Sequence, residues 1–472
     1  MKVQSCGFKV ATLISNPNFE LSALNSQLSP HDPYGAWRSP AYRSFSAAWL
    51  ALTMAGQIET VAVGIHLYSQ TQTVMALGWL GLVKALPVML LSITGGQLAD
   101  RFNRQKLIVM TQAAMVVATA GLTGLAWGEA PVHWFYLCIL LSSIGQALGA
   151  PARSAILPQL VPVALFSNAL AWNTSLYRVG TMIGPVLGGL LLGHHNVTPP
   201  ALALAFLLRG GGLLAIARLK LEDQARQAVD RSLKSMLEGI RFVRNNKVIL
   251  ATLTLDLFAM MVGGATYLLP LFAQDILQVE GLGLGLLRAA EALGAIVMAM
   301  AIAHLPPIRN AGRAMLWAVA LFGASTILFG ISQWFWLSLV AMFLIGASDN
   351  ISVIVRHTLV QVLTPDHMRG RVSAVNSVFI VASDDLGGFE SGLSARAFDL
   401  MTSGLGWAAP GLSSRMAGAV GSVVFGGLGA VVAVVGCARR WPEVLRLGSL
   451  RDIRPAEAVR VQERAVEEDA LK

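Results

Sequence analysis

The run Gly96-Gln97-Leu98-Ala99-Asp100-Arg101-Phe102-Asn103-Arg104-Gln105-Lys106 constrains this chain more than any other stretch. It separates two apolar segments, residues 74–98 and 107–127. As helices rising ~1.5 Å per residue, each can cross the ~30 Å hydrocarbon core of a bilayer. A tight turn carrying Asp100, Arg101, Arg104 and Lys106 between two such helices must lie at a membrane surface, because those charges are expensive in hydrocarbon. Its basic residues assign that surface to the cytoplasm.

The rest of the chain agrees. Of 472 residues, 55% are hydrophobic and 13% charged, where a soluble protein carries about a quarter charged. The apolar residues fall into separate runs: 43–68, 74–99, 107–127, 134–160, 168–192 and 201–217, then 248–273, 282–305, 315–331, 335–363, 372–393 and 416–436. The expected fold is an all-α polytopic membrane protein of about twelve spans. We divide it into an N-terminal arm (1–42), a six-helix half (43–217), a linker (218–247), a second six-helix half (248–437) and a tail (438–472), with the arm, linker and tail cytoplasmic. The arm, with Pro17, Pro30, Pro33 and Pro40, reads as loose chain. In the linker, Leu233, Leu237, Ile240 and Val243 recur at helical spacing among Lys234, Arg241, Arg244 and Lys247. That pattern fits an amphipathic helix on the inner leaflet or a solvated helix between the halves.

The net charge of +9 does not imply nucleic acid, because the basic residues sit in short segments between spans. Arg101, Arg104, Lys106, Arg309, Arg313, Arg369, Arg371, Arg439 and Arg440 fall on one face; the opposite connections near Gln70, Glu129, His194-His195, Gln278 and Gln333 contain neither Lys nor Arg. Both termini are therefore expected in the cytoplasm. The segment 394–415, with Arg396 and Arg415, breaks the rule. Cys6, Cys138 and Cys437 have no metal-ligand spacing, and Walker, H-E-x-x-H and G-x-S-x-G motifs are absent. We expect no cofactor, no metal and no enzymatic or ATP-driven activity.

An internal repeat relates the halves. At a fixed offset of 203, Arg153 meets Arg356, Leu160 meets Leu363, Pro162 meets Pro365, Asn173 meets Asn376, Gly184 meets Gly387 and Gly189 meets Gly392.

The opening motif resembles the G-x-L-A-D-R-x-G-R-[KR] signature of the major facilitator superfamily, with Asn103 in place of the second glycine. Asn suits that position as the next residue most tolerant of left-handed backbone. The resemblance implies a conformational latch of Gly96, Asp100, Arg101 and Arg104, with the Asp docking at the start of the eleventh span beside Arg371. Gly180, Gly184, Pro185, Gly188 and Gly189 resemble the helix-5 motif of the superfamily's proton-coupled exporters. Their small size lets a neighbouring helix approach closely. The segment from Gly149-Ala150-Pro151-Ala152-Arg153 to Pro162, together with Met368-Arg369-Gly370-Arg371-Val372, is similar to the enterobactin-exporter-like branch. That branch handles siderophores and drugs.

Charges inside spans are functional candidates. Glu59, Asp256, Asp384 and Asp385 are candidate proton-coupling groups, Asp349 is a further intramembrane carboxylate, and Lys84, Arg178, Arg288 and Glu291 are candidate buried partners. Glu59 on the neighbouring span is the natural partner for Lys84, and Arg288 and Glu291, three apart, can neutralise each other. Trp49, Trp79, Trp172, Phe258, Tyr267 and Phe379 either wall a cargo site or face lipid. The reading is a bacterial inner-membrane secondary transporter, by resemblance a monomer, exporting an amphipathic drug- or siderophore-like molecule against protons. An importer or lipid transporter of the same fold, and a non-transporting sensor, remain open at this point.

Overall fold

A computed structural model describes residues 32–193, 197–219, 233–263, 265–305, 309–405, 413–445 and 447–448, and every regular element among them is helical. The long helices are α1 (Pro40–Thr71), α2 (Val74–Arg101), α3 (Arg104–Trp127), α4 (Val132–Ile156), α5 (Phe166–Leu192), α6 (Thr198–Ala217), α7 (Lys247–Val262), α8 (Gly281–His304), α9 (Ala311–Ile331), α10 (Phe335–Leu363), α11 (Asp366–Leu405) and α12 (Ser414–Arg440). Eleven spans among the described residues are long and apolar enough to cross a bilayer. α11 falls outside that set because Asp384, Asp385 and Glu390 interrupt its apolar run, yet it packs on α2, α7 and α12 as a full member of the bundle. It also continues to Leu405, so most of the segment expected as a loop after residue 393 is helix. There Arg396 is paired with Asp399 at 3.0 Å one turn on, which softens its exception to the charge rule.

Helix α7 breaks after Val262 at Gly263 and resumes through a 3₁₀ turn, Ala265–Leu268, and a single π turn, Phe272–Ile276. Pro270, which has no N–H to donate, lies between them. The break aims Tyr267 sideways out of the helix line.

Packing follows one scheme twice. α1 packs on α5 and α6, α2 on α4, and α3 on α4 and α6; likewise α7 packs on α11 and α12, α8 on α10, and α9 on α10 and α12. Two seams join the sets, α2 with α11 and α5 with α8. The repeat positions make equivalent contacts. Gly184 lies against Met54 and Gln57 of α1, and Gly387 against Met260 and Met261 of α7. Gly189 lies against Gly281 of α8, and Gly392 against Gly78 of α2. The helix-5 glycine motif therefore divides. Gly180, Gly184 and Gly188 form a stripe on α1, while Gly189 and the Pro185 carbonyl face Gly281 and Gly285 of α8.

The turn between α2 and α3 is shorter than its polar sequence implies, with helix on both sides of Phe102-Asn103. Asn103 has φ −58°, so left-handed tolerance is not why it fits. Its side chain caps α3, accepting from the Lys106 N–H at 3.0 Å. An N-cap is worth about 1 kcal/mol. Asn103→Ala is expected to lower stability by about that amount and Asn103→Asp to preserve it, as read by thermal unfolding of the purified protein.

The end of the bundle opposite this turn carries a ring of exposed tryptophans, Trp127, Trp134, Trp334 and Trp336. Together with Trp317, 76% exposed in the first two turns of α9, they mark a lipid-facing exterior and one interfacial belt.

Two connections differ from expectation. Residues 1–31 of the arm lie outside the described residues, but the part just before α1 is not loose. The turn Gly35–Arg38 folds onto the start of α5, where Asn168 and the Trp172 indole both donate to the Pro33 carbonyl, at 2.8 and 2.9 Å, and Tyr34 and Trp37 pack on Trp172. The linker helix Leu233–Asn245 docks on the bundle: Phe242 and Val243 join Ile249, Leu253, Val360, Val372 and Val375, and Gly239 touches the Arg371 backbone. Leu237 is left exposed.

Candidate functional site

Glu59 sits midway along α1 and faces α3 and α6. Arg209 of α6 donates to its Oε2 from Nη2 at 2.8 Å and Nε at 3.1 Å, and Thr119 of α3 donates at 2.9 Å. The expected pairing with Lys84 is therefore wrong, because the rotation of α1 turns Glu59 toward α6 and away from α2. Arg209 was missed, although a charge inside the apolar run 201–217 is the same signal that flagged the others.

Asp256 of α7 is likewise closed off. It forms an ion pair with Arg356 of α10, whose side chain is the largest fully buried one among the described residues. Sequence reasoning noticed Arg356 as a repeat partner but not as a charge inside a span. A narrow cleft beside the pair is lined by Asp256, Met260, Phe322, Ser348 and Asp349.

The remaining candidate charges converge between the two sets of six helices. The Tyr267 ring lies flat on Gly388, where any Cβ would collide with it, and its hydroxyl donates to Asp385. Lys84 of α2 stands 5.9 Å from the same ring's centroid, within range of a cation–π attraction. Asp384 is within electrostatic reach of Lys84, Arg288 and Asp385, and Asp349 of Asp384 and Arg178. Glu291 feels Arg288, Asp384 and Asp349. Arg288 donates to the Thr266 carbonyl at 3.1 Å and makes no direct ion pair with Glu291 among the described residues, so the expected local neutralisation is only a long-range one. Lys84, Arg178 and Arg288 thus face Glu291, Asp349, Asp384 and Asp385, one carboxylate in excess. Asp384 is the exposed member, and Asp349 Oδ1 is buried with no hydrogen-bond partner among the described residues. Such a set can take up and release one proton while altering the attraction between helices of opposite seams.

The residues of the expected latch lie at the turn between α2 and α3 and at the start of α11. The Asp100 side chain lies outside the described residues, while Gly96 is buried in α2. Arg104 donates to the Ala155 carbonyl of α4 at 3.1 Å, and Gln105 to the carbonyls of Ile216 and Leu219 at the end of α6. The turn therefore caps two neighbouring helix C-termini, where donors and positive charge are favourable. Arg101 is exposed. Arg371 pairs with Glu238 of the linker helix at 2.6 Å, a partner the sequence reading did not contain. Of the aromatics, Trp49 and Tyr267 are interior, Trp172 holds the arm, and Trp79, Phe258 and Phe379 are substantially exposed.

Comparison with known proteins fits this architecture. The family model described as Major Facilitator Superfamily matches residues 45–383. The chain is 27% identical over 354 residues to the enterobactin exporter EntS of Shigella boydii, covering 74% of this chain and 83% of that one. Among solved structures it resembles a bacterial homologue of the human lysosomal transporter Spinster, with a TM-score of 0.64 at 17% identity, covering 87% of this chain and 98% of that one. It also resembles the nucleoside transporter NupG, with a TM-score of 0.64 at 13% identity over 85% and 98%.

Proposed function

This chain belongs to the Major Facilitator Superfamily, and we propose that it exports an amphipathic small molecule across the bacterial inner membrane in exchange for protons. It is a multi-pass membrane transporter and not an enzyme; direction, coupling ion and sidedness belong to the proposal. The observation that carries it is Asp384, an exposed carboxylate in a charge cluster assembled from both halves.

In this reading, units 43–217 and 248–437 rock about the cluster. Ionised Asp384 attracts Lys84 across the α2–α11 seam, and a proton on Asp384 removes that attraction. Protonation thus biases one arrangement of the halves over the other, and a conformational equilibrium responds only to such differential interactions. Glu59 and Asp256 serve as internal struts, each held by an arginine of its own half. The glycine contacts of both seams, at Gly78, Gly81, Gly189 and Gly285, gather toward the end away from the basic turn. With that turn cytoplasmic, the seams are shut at the outer end. Export is supported by the likeness to EntS.

The test is proton movement in inverted vesicles challenged with siderophores and lipophilic cations. Cargo-dependent proton release is expected in wild type and absent in Asp384→Asn, with cargo binding retained. Cargo movement without proton movement, or unchanged coupling in the variant, would overturn the assignment.

A further inference from the structure

The repeat places Arg153 of α4 and Arg356 of α10 at equivalent positions, yet their surroundings differ. Arg356 is neutralised by Asp256. Arg153 has no carboxylate partner among the described residues: its guanidinium stacks on the Trp49 ring of α1 at 4.5 Å. Trp49 in turn stacks on Tyr177 of α5, with centroids 6.4 Å apart and planes 27° from parallel. The three residues come from α1, α4 and α5, each within the four turns nearest the basic end. Tyr177 is 42% exposed, and the Trp49 indole N–H is buried without an acceptor. Arg209, the nearest cation that Arg153 senses, is already committed to Glu59.

Arg153 is half-buried, and a charge partly withdrawn from water without a counterion is unfavourable. A cation–π contact offsets only part of that cost. The second half supplies its own counterion at this position, and the first half leaves the place open beside an exposed aromatic face. We propose that Arg153, Trp49 and Tyr177 form a cargo subsite for an acidic aromatic group, an aryl ring bearing a carboxylate or comparable anion. The guanidinium pairs with the anion and the ring lies on Tyr177. This rests on the transport reading above, since it specifies what the cargo must contain.

Equilibrium binding to the purified full-length protein in nanodiscs separates the two ideas, because it needs neither a gradient nor turnover. The probe is radiolabelled 1-naphthoate, with 1-naphthylmethylammonium as the cation of similar shape. Saturable naphthoate binding is expected, with no competition from the cation. Arg153→Gln should weaken it at least ~10-fold and Tyr177→Leu about 3-fold, whereas Arg153→Lys should restore part of the affinity, as loss of one charged contact implies. Arg356→Lys, which alters the equivalent position in the other half, should leave the affinity unchanged. Thermal unfolding of each variant verifies folding, and Arg153→Lys carries the test if Arg153→Gln does not fold. Equal affinity in wild type and Arg153→Gln, equal competition by the cation, or no saturable binding to folded wild type would each overturn the subsite. Naphthoate binding lost in Arg153→Gln supports it even where proton coupling fails, in which case only the coupling reading falls.

Discussion

Asp256→Ala and Arg356→Ala are each expected to destabilise the protein by about 3–5 kcal/mol, the usual cost of leaving one member of a buried ion pair without the other. The two side chains are almost wholly enclosed, at 8% and 2% exposure, so neither orphan can turn to water. The double replacement Asp256→Leu with Arg356→Met should recover most of the loss, because apolar residues of similar volume remove both desolvation costs together. Thermal unfolding of the four proteins in detergent, treated as a double-mutant cycle, measures the coupling. If Asp256→Ala unfolds with wild type, the pair is no strut. If Asp256→Asn keeps stability but loses proton coupling, the coupling role belongs to Asp256 and not to Asp384.

That cycle also separates what the sequence made legible from what it did not. Membrane spans are written locally, in runs of apolar residues, and so most helices emerged close to their observed bounds, α7 with its break and the longer α11 excepted. The repeat was legible as well, since Gly184 with Gly387 and Gly189 with Gly392 are identical residues at one offset, and their contacts prove equivalent in space. Many charges inside spans were legible: Lys84, Arg178, Arg288, Glu291, Asp384 and Asp385 were all candidates and all meet in one cluster, whereas Arg209 and Arg356 were passed over.

Pairing was not legible. Which side of α1 Glu59 faces depends on the rotation of that helix, set by glycine stripes on α5 and by Leu52 against Gly212 of α6. No local pattern reveals that the face points at Arg209 and not at Lys84. The contact between Lys84 and Tyr267 joins residues on opposite sides of the chain's midpoint and depends on a break in α7 that reads as continuous apolar sequence. Asn103 teaches a smaller lesson. The residue fits for a reason other than the one its type suggested, because the turn is so short that its second residue already serves as the cap of α3.

Gly392→Leu is expected to abolish turnover without unfolding the protein. A Cβ at residue 392 would lie 2.5 Å from the Gly78 Cα and 2.8 Å from its nitrogen, backbone atoms that cannot rotate away. The α2–α11 seam can then close only by parting its helices. Overpacking of this kind costs about 1–3 kcal/mol, charged solely to the conformation in which the seam is shut. Since 1.4 kcal/mol is tenfold in an equilibrium, the state with this seam shut would lose up to about a hundredfold in population. Gly189→Leu should act in the same way at the α5–α8 seam, where the added atom would meet the Gly281 carbonyl. Gly184→Leu presses instead on Met54 and Gln57 within one half, so it should lower stability in both conformations and leave their ratio unchanged. Distances between spin labels at Thr73 and Arg396, near the two sides of the α2–α11 seam, give the readout. Gly392→Leu should lengthen the mean distance and Gly184→Leu should not. A variant that transports at the wild-type rate with the distance unaltered would mean that the seam never needs to close this tightly, and the rocking of the two halves about the charge cluster would have to be abandoned.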